Sequence, residues 1–198
     1  GLVWPQNSSD YTRLTTPEIM QGMEVLTDAN QGRSMTLCLG VQQDATPDMV
    51  QLAQHAEKLE PDMMIAMPPK VGSSLQDYRE YYSALAEATS RPVMLQTQPN
   101  LPGIEFETEF ILELADRYPH LGYVKEEAQP VFDRIQALVG QPQIKRVFSA
   151  MRGRYFAYDL RLGVDGIVSG MSMYIDIFSR MWDAYLAEDW DEVRNIHG

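Results

Sequence analysis

The sequence is poor in residue types on which several common classes of protein depend. Its 198 residues include a single cysteine, Cys38, and three histidines, His55, His120 and His197. A lone cysteine has no partner within the chain, so intrachain disulfide bonds are excluded, and we interpret Cys38 as a small core residue of the apolar run 35–39. The histidines are too scattered to match the spacing of a zinc site, so we expect no metal.

Positive charge is also scarce. The chain has 16 lysines and arginines against 28 aspartates and glutamates, a net charge of −12. Nucleic acids and anionic membranes bind basic surfaces, so neither is expected as a partner. No apolar run approaches the roughly 18 residues that a membrane span needs, and the first residues lack the pattern of a secretion signal. We therefore expect a cytoplasmic protein.

The sequence does contain a repeat of apolar strand and amphipathic helix. Six apolar runs predict strands, and each is followed by a segment with helical spacing. The first dozen residues, by contrast, are typical of a loop. Helix start signals stand at Thr16, Thr46 and Ser74, and Asp189 can begin a last short helix. The predicted strands are 35–41, 62–67, 92–97, 121–126, 144–149 and 165–169.

Strands that alternate with helices indicate a parallel sheet, either closed as a barrel or open and doubly wound. No glycine-rich nucleotide loop follows any strand, which argues against the open form. Polar residues also collect at strand ends, where a barrel builds its active site. We predict one domain over 1–198, a (β/α)₈ TIM barrel that lacks its first two strand-helix units. The polar strand-end residues are Lys70, Gln96, Thr97, Gln98, Lys125, Ser149 and Ser169.

The strand around Lys125 organises the candidate site. Alternate side chains of a strand point to opposite faces, so Tyr123 and Lys125 share one face. Lysine is rarely buried without a partner or a function, and a desolvated lysine becomes a nucleophilic amine. The alternative is a structural lysine at a strand end, paired with Glu126 or Glu127.

Several segments together resemble the dihydrodipicolinate synthase and N-acetylneuraminate lyase superfamily. Pro92-Val93-Met94-Leu95 and Pro99 precede Gly122-Tyr123-Val124-Lys125-Glu126 at a spacing similar to that of the family. The helical segments His55–Lys58 and Ala84–Ala88 and the strand Gly163–Ser169 extend the likeness over most of the chain. The resemblance also implies that most of the C-terminal helices of the family are absent here.

The resemblance implies a class I aldolase that acts on pyruvate or another 2-keto acid. Lys125 matches the lysine that forms a Schiff base with the keto group, a mechanism that needs no metal or other cofactor. Ser8 and Ser9 correspond loosely to the hydroxyls that bind the carboxylate of the keto acid. Three further candidates for substrate binding stand at strand ends: Gln96, Ser149 and Ser169. The family also implies a homo-oligomer, a dimer or a tetramer.

Three positions depart from the family pattern. Gln96 stands in place of a tyrosine that relays protons, and an amide cannot do so. Leu101 stands in place of an arginine that binds a second carboxylate, so synthesis of dihydrodipicolinate is not expected unless Arg152 or Arg154 reaches the site. An intersubunit tyrosine of the family falls near Pro69 or Lys70.

A fourth departure is Tyr123, which occupies a position where the family usually has glycine. Tyr123 either relays protons in place of the missing tyrosine, narrows the pocket, or is a core residue one layer below the site.

Three functional hypotheses follow. The first is a Schiff-base lyase or aldolase for a 2-keto acid. The second is a dehydratase of a keto-deoxy sugar acid, which uses the same lysine. The third is a barrel that binds a keto acid and has lost turnover, as the replacements Gln96 and Leu101 suggest.

Overall fold

The protein is built around one sheet of parallel strands. The computed structural model describes residues 1–70, 74–98 and 106–198. Six strands of this described part form a single parallel sheet whose order follows the chain, which confirms the predicted parallel α/β architecture. They are β1 Leu2–Trp4, β2 Leu37–Gly40, β3 Met63–Ala66, β4 Val93–Gln96, β5 Tyr123–Lys125 and β6 Arg146–Phe148.

Helices connect the strands, and several begin at the predicted signals. Ser74 and Asp77 form a capping box, with the Ser74 hydroxyl accepting from the Asp77 amide at 3.2 Å. The first helix is capped by Thr15, one residue before the predicted Thr16. No helix in the described ranges is long and apolar enough to cross a membrane. The helices are α1 Thr16–Asn30, α2 Thr46–Leu59, α3 Leu75–Ala88, α4 Thr108–Arg117, α5 Val131–Leu138, α6 Phe156–Arg161, α7 Ile175–Leu186 and α8 Trp190–His197.

The two faces of the sheet bury different sets of side chains. The outer face, which includes Val124, packs against the helices and forms the larger core. The inner face forms a second, smaller cluster around Cys38, Ile65 and Met94, with Tyr123 packed against it. We call this second set the inner cluster. Strand alternation therefore acts in β5 as the sequence predicts, because Tyr123 and Val124 belong to opposite faces.

Two segments differ from the prediction. Residues 1–12 were expected to be a loop, but they contain β1 and two short 3₁₀ turns; an apolar run of three residues is too short to be recognised as a strand. Residues 165–169 were expected to be a strand, but they make only an isolated bridge between Ser149 and Ile167. Gly166, with a φ of 146°, interrupts the regular ladder there.

The sheet curls into a half-barrel, so that its two edges approach each other. β1 and residues 168–170, which directly follow the isolated bridge at Ile167, line one cavity. Ser8 lies directly against Gly170, where an added Cβ atom would be 2.1 Å from the serine Oγ. The carboxyl ends of the strands face this cavity, as in barrels whose active site lies at that rim.

Candidate functional site

Lys125 is the last residue of β5 and is almost fully buried. Only 6% of its surface is exposed. Its Cα atom is the register partner of Gln96, the last residue of β4. The Thr97 amide donates to the Lys125 carbonyl at 3.0 Å, which extends the ladder by one residue. The strand ends thus hold a lysine and an amide side by side on the inner face.

A carboxylate joins these two side chains. Oε1 of Glu127 lies 2.8 Å from Nζ of Lys125. The same oxygen accepts a hydrogen bond from Nε2 of Gln96 at 3.1 Å. The Oε1 atom of Gln96 is buried and has no hydrogen-bond partner among the described residues. Gln96 thus has an acceptor available for a bound molecule.

Glu126 and Glu127 are held in different directions. The Glu127 amide donates to Oγ1 of Thr97 at 2.7 Å, which fixes the backbone directly after β5. Glu126 is fully buried on the outer side, where its Oε1 lies 3.1 Å from Nε of Arg134. Burial raises the pKa of Glu126, an effect that Arg134 partly opposes. Of the two partners considered for Lys125, the structure therefore selects Glu127.

These residues open into a cavity of about 730 Å³. Seven residues are predicted to act in catalysis or substrate binding, and five of them line this cavity: Ser8, Ser9, Gln96, Lys125 and Ser169. The other two are Tyr123 and Ser149. The serines come from the two edges of the half-barrel, Ser8 and Ser9 after β1 and Ser169 after the last bridge. The structure thus brings together residues that lie up to 161 positions apart in the chain.

Ser149, which the sequence predicts to bind substrate, is not among the described residues that line the cavity. Ser149 is fully buried, and its hydroxyl bonds to the carboxylate of Asp159 in α6. Phe148, one residue earlier, packs with the inner cluster, so alternation turns Ser149 to the helix side. Burial raises the pKa of Asp159, and the Ser149 hydroxyl partly opposes that shift.

Tyr123 is half-buried against the inner cluster and is not among the described residues that line the cavity. Its ring faces Lys145, whose Nζ lies 5.6 Å from the ring centroid. This is the placement expected of a residue one layer below the site. A catalytic role for Tyr123 stays a prediction.

The structure adds two arginines to the cavity lining, Arg152 and Arg154. No carboxylate of the described residues forms an ion pair with either guanidinium. These are the two arginines named above as possible replacements for the carboxylate-binding arginine of the family, and both stand at the cavity. Whether the protein synthesises dihydrodipicolinate stays a prediction. Leu101, which stands in place of that arginine in the sequence, lies outside the described residues.

The loop that carries these arginines has an unusual backbone. Met151, Arg152 and Gly153 have φ values of 47°, 58° and 80°. Left-handed conformations cost non-glycine residues energy and are common at functional sites. Gly153 is needed for a second reason, because an added Cβ atom would lie 2.2 Å from the Phe178 ring.

Two other predicted features lie apart from the lining. Lys70 is exposed; its amide donates to an Asp44 carboxylate oxygen at 2.8 Å and its Nζ lies 5.7 Å from the Tyr11 ring centroid. Cys38 is a buried free cysteine whose thiol pKa is raised by burial. Among the described residues, no group of three His, Cys, Asp or Glu side chains is placed to hold a metal ion.

Fold and site together define a parallel α/β half-barrel with a buried lysine at the carboxyl end of one strand. A sequence profile of the dihydrodipicolinate synthetase family matches residues 7–198, and the chain belongs to that family. The resemblance seen in the sequence motifs is thereby confirmed.

Curated relatives include 4-hydroxy-tetrahydrodipicolinate synthases. That of Chlorobium phaeobacteroides strain BS1 is 28% identical over 159 residues, covering 79% of this chain and 52% of the relative. That of Methanopyrus kandleri strain AV19 is 22% identical over 199 residues, covering 100% of this chain and 66% of the relative. The chain therefore spans about half to two thirds of the length of these relatives.

Solved structures share the fold. A prophage protein of E. coli K12 from the dihydrodipicolinic acid synthase family, solved in complex with pyruvate, superposes with a TM-score of 0.90 at 18% identity; the match covers 100% of this chain and 67% of the other. A catalytic lysine mutant of Ruminococcus gnavus sialic acid aldolase gives a TM-score of 0.89 at 20% identity, covering 100% and 65%. At these identities the likeness establishes the fold.

Proposed function

We propose that the protein is a Schiff-base-forming lyase or aldolase that acts on pyruvate or another 2-keto acid through Lys125. The observation that carries this proposal is the buried Nζ of Lys125, which faces a cavity at the carboxyl end of β5. An amine in that position can add to a ketone and form an iminium ion. The cationic nitrogen then accepts electrons from a breaking or forming carbon–carbon bond.

The relatives support the same chemistry. The similar E. coli protein was solved with pyruvate, and the similar R. gnavus enzyme is a sialic acid aldolase with a catalytic lysine. In our proposal, Ser8 and Ser9 bind the carboxylate of the keto acid at one edge of the half-barrel. Ser169 and Gln96 complete the polar contacts. We also propose that residues 1–198 belong to one domain with a (β/α)₈ barrel fold, and that the protein is a cytoplasmic homo-oligomer.

A second candidate is a keto-acid-binding protein without turnover. One observation favours it: Gln96 occupies the position at which the family's tyrosine relays protons, directly opposite Lys125. Elimination of water from a keto-deoxy sugar acid would use the same lysine and belongs with the first proposal. A single step of the reaction, tested with pyruvate alone, distinguishes a catalytic protein from one that only binds the keto acid.

The test is exchange of the pyruvate methyl protons in deuterium oxide, followed by NMR. The imine makes loss of a C3 proton much faster than it is from free pyruvate, so accelerated exchange that depends on Lys125 distinguishes imine formation from non-covalent binding. We expect the wild-type protein to exchange these protons and Lys125→Ala to lose the activity. Lys58→Ala, at an exposed position of α2, is the matched control and should exchange normally. Absence of exchange by folded wild-type protein would overturn the proposal.

A further inference from the structure

The cavity offers few groups that can move a proton. Apart from Lys125 and the two arginines, Glu127 is the one titratable side chain among the described lining residues. None of the others carries a carboxylate, a phenol or an imidazole. Schiff-base formation requires several proton transfers between nitrogen and oxygen. A side chain that performs them must reach the nitrogen.

Glu127 meets that requirement by position. Its Oε1 is 2.8 Å from Nζ of Lys125, within the range for direct proton transfer. Its backbone is fixed by the hydrogen bond from its amide to Thr97. Its side chain retains 20% exposure, so one side of the carboxylate is open to the cavity. Glu126, by contrast, faces Arg134 on the outer side of the sheet.

We propose that Glu127 is the general acid and base of the reaction at Lys125, and carries protons from Nζ to the keto oxygen of the substrate. This inference rests on the proposed function. It also explains how the site can work with Gln96 where the family has tyrosine. Gln96 cannot relay a proton, but its Nε2 donates to the Glu127 carboxylate and orients it.

The proton transfers balance with Glu127 as the carrier. The lysine ammonium gives one proton to Glu127, and the freed amine forms a C–N bond to C2 while the carbonyl π electrons move to oxygen. Glu127 returns that proton to the oxygen and then takes a second proton from the nitrogen. It delivers the second proton to the hydroxyl, which leaves as water while the nitrogen lone pair forms the C=N bond. Ammonium and ketone become iminium and water, and Glu127 is again a carboxylate.

The experiment measures the rate of imine formation with pyruvate. Rapid mixing, a borohydride quench at increasing times and intact mass give the fraction of Lys125 that is modified. We expect Glu127→Gln to slow the reaction by about 100-fold, within the usual range for general acid–base catalysis, and to reach full modification at long times. Glu87→Gln, exposed on α3, should match the wild type.

Chemical rescue separates proton transfer from a structural ion pair. In Glu127→Ala, added formate should restore the rate at least about tenfold, and it should leave Glu87→Gln unchanged. Glu127→Asp, which keeps the carboxylate, covers the case in which Glu127→Gln fails to fold. A wild-type rate in Glu127→Gln, or a slow Glu127→Ala that formate does not accelerate, would overturn the inference while Lys125 still traps pyruvate. Failure of the wild type to trap pyruvate would instead refute the proposed function.

Discussion

Gln96 and Lys125 are direct register partners on neighbouring parallel strands, and their side chains meet at one carboxylate oxygen of Glu127. All three stand at the end of the sheet that opens into the cavity. The arrangement places a donor, a nucleophile and a proton acceptor within hydrogen-bond distance. Each member can therefore be tested by its effect on the same imine.

The first prediction concerns the orienting role of Gln96. Gln96→Leu removes the amide that donates to Glu127 at 3.1 Å. A hydrogen bond to a charged group contributes about 1.5–3 kcal/mol, so we expect imine formation with pyruvate to slow roughly tenfold. The measurement is the quenched time course, with Gln76→Leu on the exposed start of α3 as control. A rate equal to that of the wild type would exclude the orienting role.

Tyr123 is expected to be dispensable for proton transfer. It packs against the inner cluster, and the described cavity lining does not include it. Tyr123→Phe keeps the ring and deletes only the hydroxyl, so pyruvate methyl exchange should stay within about twofold of wild type. Exchange that is at least about tenfold slower, with normal trapping at Lys125, would instead support a relay by this phenol.

Arg152 and Arg154 are expected to strengthen the binding of anionic substrates. They line the cavity without an ion-pair partner among the described residues, in a chain of net charge −12. Arg152→Gln and Arg154→Gln should each raise the pyruvate concentration for half-maximal trapping about tenfold, the effect of ~1.4 kcal/mol. Salt should reduce the difference. Arg180→Gln, exposed on α7, is the control, and equal effects of all three changes would contradict this role.

Asp159 should make stability depend on pH. Burial raises its pKa above the unfolded value, so the folded protein binds this proton more tightly. The stabilisation is complete below about pH 4 and is lost as pH rises through the raised pKa. Asp159→Asn removes this dependence. The free energy of unfolding of the variant minus that of the wild type should therefore increase from pH 4 to pH 7.

Urea unfolding at several pH values measures this difference. Asp116→Asn, an exposed change on α4, should show no such trend. A difference between Asp159→Asn and wild type that is constant with pH, or that decreases from pH 4 to pH 7, would contradict the assignment.

Much of the architecture follows from simple periodicity. Apolar runs separated by amphipathic helices predict a parallel sheet, and five of the six observed strands lie within predicted runs. β1 could not be recognised because three residues carry too little pattern. The apolar pattern predicts a full strand over 165–169, because the positive φ of Gly166 cannot be inferred from that pattern.

The directions of the site side chains could be predicted where strand alternation determines them. Alternation from Lys125 already places Glu127 on the same face and Glu126 on the opposite one, a signal that would have identified the ion pair. The same rule would have turned Ser149 away from the cavity. The arginine loop could not be predicted, because three consecutive left-handed residues remove any periodic relation between sequence and direction.

The central claim is that Lys125 is the nucleophile, and borohydride reduction in the presence of pyruvate tests it most directly. The Nζ atom of Lys125, which is buried at the end of β5 and lies 2.8 Å from Oε1 of Glu127, should form the imine, which reduction makes permanent. We predict one added group per chain, located on Lys125 by peptide mapping, and none in Lys125→Arg, because a guanidinium cannot form the imine. Modification of another lysine, or trapping that persists in Lys125→Arg, would contradict the account.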